Sequence, residues 1–110
     1  MTVFCIQLQP ERATGIDFDA VTKRAAAFAD TSSFVVDFWT DIGDDYINLM
    51  FATEMRKLFW HAFLAEFLGL DPHGQAIRNC CLAYCEGSRG WDDYLVLHHY
   101  DPTEQLDRLT

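Results

Sequence analysis

His98 and His99, together with Cys80, Cys81 and Cys85, are the residue types from which a zinc site is built. Their spacing argues against one. Adjacent residues on a strand point to opposite faces, so His98 and His99 do not meet at a single ion. Cys81 and Cys85 approach each other on a helix but stand apart on a strand, and no Cys-x-x-Cys or His-x-x-x-His unit occurs. The expectation is no metal and no cofactor, with a thiol-rich core, one inward histidine and one exposed.

The same residues supply the types for a thiol nucleophile with a histidine base, adding Cys5, His61 and His73. No glycine-rich loop or nucleophile elbow frames them. The carboxylate pairs Asp44-Asp45 and Asp92-Asp93 would shift each other's pKa if buried together. They fall in or beside expected loops, where solvated charge is the plain outcome. Gly87-Ser88-Arg89-Gly90 could turn backbone N–H groups toward a phosphate, but it has neither a Walker nor a dinucleotide-binding frame, and Glu86 and Asp92 flank it. No catalytic residue is assigned, and the chain is not read as an enzyme.

What remains is acid beside large aromatics. Trp39, Asp41, Asp44, Asp45 and Tyr46 cluster around one expected hairpin tip, and Trp91, Asp92, Asp93 and Tyr94 near another. Trp and Tyr are enriched at protein–protein hot spots. Carboxylates around them steer and pair with Arg or Lys on a partner. Each Trp could equally do no more than cover an open sheet face.

The elements that must position these residues follow from periodicity. Val3 to Leu8 is a nearly continuous apolar strand ended by Pro10. Asp17 caps a helix over Phe18 to Ala29, with Phe18, Val21, Ala25 and Phe28 as its buried stripe. Phe34 to Thr40 and Tyr46 to Ala52 alternate as a hairpin around Asp41 to Asp44, placing Trp39 on one face and Phe38 on the other. Thr53 caps a second helix, Glu54 to Leu68, which Gly69 stops. Asp71-Pro72-His73-Gly74 suits a type I turn, and the same Asp-Pro pair suits a helix start. Asn79 to Cys85 fits strand or helix; a hairpin through Glu86 to Gly90 into a strand over Tyr94 to Tyr100 favours strand. The expected fold is α+β: a mainly antiparallel sheet with two helices on one face, in βαββαββ order, with a ferredoxin-like core.

Composition bounds the rest. The 110 residues suit one globular domain, able to bury roughly two-thirds of its unfolded surface without staples. Three Trp, four Tyr and nine Phe in a chain that is 50% hydrophobic mark a folding sequence, yet the net charge is −9. That charge repels nucleic acid and attracts basic protein surfaces. No apolar run reaches the roughly 18 residues of a membrane span, and Met1 to Gln9 lacks signal-peptide features, so a cytoplasmic location is expected. Cys5, Cys80, Cys81 and Cys85 are expected as free thiols.

In size, acidity and compactness the chain resembles immunity proteins that neutralise nuclease toxins and phage proteins that block CRISPR effectors. That resemblance implies an inhibitor whose carboxylates take the place of phosphates on a nuclease or nucleic-acid-binding effector. The expected partner-binding residues are Trp39, Asp41, Asp44, Asp45, Tyr46, Trp91, Asp92 and Asp93. The alternative is a small-molecule-binding or enzymatic α+β domain with a pocket between sheet and helices, dimeric through its open sheet face.

Overall fold

Strands in this chain alternate large apolar residues with polar or amphipathic ones, and that alternation builds a sheet with one covered face. The computed structural model describes residues 1–109. The elements are β1 (Thr2–Leu8), a short 3-10 turn (Pro10–Arg12), α1 (Phe18–Thr31), β2 (Asp37–Ile42), β3 (Ile47–Thr53), α2 (Arg56–Phe67), α3 (Pro72–Arg78), β4 (Cys81–Gly87) and β5 (Gly90–His98). The five strands form one sheet in the order β2-β3-β1-β4-β5, with every neighbouring pair antiparallel. The fold class is α+β, as expected.

The element order is not the expected one. A third helix, α3, stands between α2 and β4, so the chain does not run βαββαββ and the βαββαβ stretch of a ferredoxin-like core is interrupted. Asp71 and Pro72 open this helix rather than a type I turn. The Asp71 carboxylate accepts from the Gly74 N–H at 3.4 Å, and Pro72 occupies the first turn, where no N–H is needed. Gly74 decides the matter, because a Cβ there would collide with the backbone of Gly69. α3 thereby packs beside the end of α2 and seats Ile77 in the core.

α1 starts at Phe18 as expected but runs on to Thr31, and Phe18 and Phe28 of its expected stripe are half-buried. The Asp17 carboxylate accepts from the Ala20 N–H at 3.1 Å, and Val21 and Ala25 are buried. α2 starts later than expected, at Arg56. Thr53 ends β3 instead, accepting the Met55 N–H at 2.9 Å while its hydroxyl donates to the Phe34 carbonyl. Phe59, Trp60, Phe63 and Phe67 form the buried face of α2, and Leu58 is exposed.

The covered face holds Phe4, Ile6 and Leu8 of β1, Leu49 and Phe51 of β3, and Cys81, Ala83 and Cys85 of β4, all buried. Against it stand Phe28 of α1 and Phe59, Trp60, Phe63 and Phe67 of α2. Phe63 illustrates the packing, stacking on Trp60 at 5.9 Å and Phe67 at 4.7 Å and meeting Phe51 edge-on at 5.6 Å. Rings this close add attraction beyond their buried area. No helix among the described residues is long and apolar enough to cross a membrane.

Candidate functional site

The opposite sheet face carries no helix. Residues that alternate with the core set point onto it: Cys5 and Gln7 of β1, Asn48 and Met50 of β3, Trp39 and Asp41 of β2, Leu82 and Tyr84 of β4. Cross-strand register aligns Met50, Cys5 and Tyr84 in one row and Asn48, Gln7 and Leu82 in the next. Trp39 pairs with Met50 and Asp41 with Asn48, which extends both rows to the edge strand.

β5 completes the face by breaking its own alternation. Tyr84 pairs with Val96 and Cys85 with Leu95, but Gly87 already pairs with Gly90, so the register slips within this stretch. Gly87 permits the slip: a Cβ there would collide with the Asp93 backbone. Trp91 and Tyr94, three residues apart, therefore both reach Tyr84. Their rings meet it edge-on at 5.9 Å and 6.1 Å.

Trp39 and Trp91 come from opposite edge strands yet line one depression of about 410 Å³. Asp41, Asn48, Cys5 and Tyr84 complete its wall and floor. It adjoins a second depression of about 450 Å³ lined by Leu82, Tyr84, Trp91, Tyr94, Val96 and His99. A third, more polar one of about 390 Å³ involves Asp45, Tyr46, Gln7, Gln9, Glu11 and Arg12. Here Arg12 donates to Gln9 at 2.7 Å, Gln9 to Gln7 at 2.9 Å and Gln7 to Asn48 at 3.0 Å. The guanidinium of Arg12 also lies 3.5 Å over the Tyr100 ring.

The expected partner-binding residues thus divide. Trp39, Asp41 and Trp91 share one depression, and Asp45 and Tyr46 line the polar one beside it. Asp44 is exposed in the β2–β3 turn and lines neither. Asp92 is exposed, while Asp93 accepts the Ser88 hydroxyl at 2.8 Å within its own hairpin. The aromatics of the two clusters, with Asp41 and Asp45, therefore share one face, while Asp44, Asp92 and Asp93 are not among the residues that line its depressions. Tyr84, at its centre, is not among the expected residues because it carries no neighbouring acid; Leu82 and Tyr84 alternating with Cys81, Ala83 and Cys85 on the favoured strand is the signal that points to it.

Charge follows the same division. None of the five strands contains Lys or Arg, while Asp37, Asp41, Glu86, Asp92 and Asp93 lie on them. In the helices Lys23, Arg24, Arg56, Lys57 and Arg78 outnumber Asp19, Asp30 and Glu66. With Asp44 and Asp45 in the β2–β3 turn and Arg89 in the β4–β5 turn, the strands and their hairpin turns are net acidic and the helices net basic.

The thiols are free and buried. Burial raises the pKa of Cys5, Cys80 and Cys81, and pushes Cys85 up to about 11. Cys5 and Tyr84 share a side-chain hydrogen bond, and burial raises the Tyr84 phenol as well. These are neutral packing groups, not activated nucleophiles. The histidines separate, but His99 is half-buried rather than exposed. His98 is buried and its Nε2–H donates to the Arg78 carbonyl at 2.9 Å, while His99 lines the larger depression. Phenylalanines fill most of the space between sheet and helices, a depression of about 270 Å³ lies between α1 and β2 at Ala26, Ala29, Asp37 and Phe38, and both aromatic depressions are on the open face.

Comparisons with protein-family models, curated proteins and solved structures return no match to this chain.

Proposed function

We propose that this protein is an inhibitory binding protein whose open sheet face occupies the basic, nucleic-acid-binding surface of another protein. The observation that carries this reading is the segregation just described: exposed tryptophans and tyrosines on strands that contain no Lys or Arg, in a chain of net charge −9. Exposed Trp and Tyr supply rigid contact area, and carboxylates around them steer and pair with cations. Occlusion is steric and electrostatic, as in the toxin-immunity and CRISPR-inhibiting classes, and no side chain is assigned a catalytic role. The location proposed for this action is the cytoplasm.

The test is affinity capture from bacterial lysate on the immobilised protein, eluted along a salt gradient and then with nucleic acid. A basic nucleic-acid-binding protein is expected, displaced by nucleic acid and absent from a column carrying Asp41→Lys, Asp45→Lys, Asp92→Lys and Asp93→Lys together. Equal retention on both columns contradicts the reading.

The 450 Å³ depression supports a second reading, a small apolar or aromatic ligand held over Leu82 and Val96. A ligand that binds only the folded chain raises its melting temperature with concentration. A homodimer through the same face would instead show concentration-dependent sedimentation without any ligand.

A further inference from the structure

Resting on the reading above, we propose that the depression between Trp39 and Trp91 is a slot for one arginine side chain of the basic partner. Both indoles and the Tyr84 ring line it, Asp41 supplies a carboxylate, and Asn48 adds an amide. A planar guanidinium stacks on aromatic faces while its fork of donors engages a carboxylate. A lysine ammonium is a compact, strongly hydrated point charge and uses flat walls less well.

Three further features fit a cation here and no other charge. Cys5, on the floor, is a buried neutral thiol, so Asp41 is the only formal charge lining the slot. The neighbouring Arg12 is held by Gln9 and the Tyr100 ring, leaving the slot to an incoming cation. The chain also uses this chemistry internally, with Arg12 at 3.5 Å from the Tyr100 centroid and Arg24 at 4.6 Å from that of Phe67.

The experiment is a nuclear magnetic resonance titration following the three indole N–H signals. Trp39 and Trp91 report on the slot, and Trp60, buried in the core, is the internal control. The probes are the blocked amino acids Nα-acetyl-arginine methylamide and its lysine and citrulline counterparts, with tetramethylammonium as a fourth. Saturable shifts of Trp39 and Trp91 but not Trp60 are expected with arginine, binding about threefold or more tighter than lysine. The uncharged citrulline should not saturate. Asp41→Asn should weaken arginine binding about tenfold with the Trp60 signal unmoved.

Failure of arginine to saturate, or equal behaviour of citrulline, overturns the slot. Tighter binding of tetramethylammonium than of arginine also overturns it, in favour of a quaternary ammonium site. The broader reading fails separately. If the lysate partner is still captured and still lost on charge reversal while arginine leaves both indoles unmoved, the slot falls and the inhibitory face stands.

Discussion

The two faces of this sheet are both aromatic, but they draw on the aromatics in different proportion. The helix-covered face is mostly phenylalanine, Phe4 and Phe51 from the strands and Phe28, Phe59, Phe63 and Phe67 from the helices, with Trp60 of α2 among them. The open face carries Trp39, Tyr84, Trp91 and Tyr94, each with a polar handle. Phenylalanine has nothing to satisfy and suits a dry core; Tyr and Trp suit a surface that is apolar in the middle and wet at its edges. The choice of ring, more than the count of rings, distinguishes the face that folds the chain from the face available to a partner.

The largest effect should come from the covered face. Phe63→Ala removes a ring packed on Trp60, Phe67 and Phe51, and about 3–5 kcal/mol of unfolding free energy should be lost in a denaturant titration. Overfilling the same face should cost less. Ala83→Val adds two methyl groups among fully buried neighbours, and overpacking of this kind costs about 1–3 kcal/mol. On the open face Tyr94→Ala removes a ring that is 56% exposed, so a loss of about 1 kcal/mol or less is expected. Asp41→Asn should leave stability within about 0.5 kcal/mol while weakening cation binding. If Tyr94→Ala costs as much as Phe63→Ala, the division between the faces is wrong.

Acid sharpens the comparison from the side of the core. Burial lowers the pKa of His98, so the folded state prefers the neutral ring that donates to Arg78. The unfolded state takes up the proton first as pH falls below about 6.5, and stability is lost from there down to the lower folded pKa. The slope should not exceed about 1.4 kcal/mol per pH unit for this one group. His98→Gln, which keeps a donor but cannot ionise, should flatten that part of the profile measured by urea unfolding.

Much of this division is legible in the sequence. Alternation in Phe34 to Thr40 and Tyr46 to Ala52 separates Phe38, Leu49 and Phe51 from Trp39, Asn48 and Met50, and the structure keeps that separation. Asp17 marks the start of α1 because its carboxylate can serve only a helix entrance there. Other features depend on tertiary contacts with no local signature. Asp71-Pro72 opens turns and helices alike, and the close approach of Gly74 to Gly69 decides between them. Trp91 and Tyr94 meet over Tyr84 only because β5 slips register beside Gly87, which strict period-two alternation would place on opposite faces. The union of the two clusters' aromatics on one face was therefore beyond sequence pattern alone.

The central claim, that the sheet face rather than total charge binds cationic partners, is tested most directly by calorimetric titration of an octa-arginine peptide into two double variants. Asp41→Lys with Asp45→Lys alters the sheet side, and Asp19→Lys with Asp30→Lys alters the exposed side of α1 by the same net charge. The sheet-side variant should bind about tenfold or more weakly than the unaltered protein, and the helix-side variant within about twofold of it. Equal losses in both would mean that the peptide responds to net charge alone, and the assignment of the open face would be contradicted.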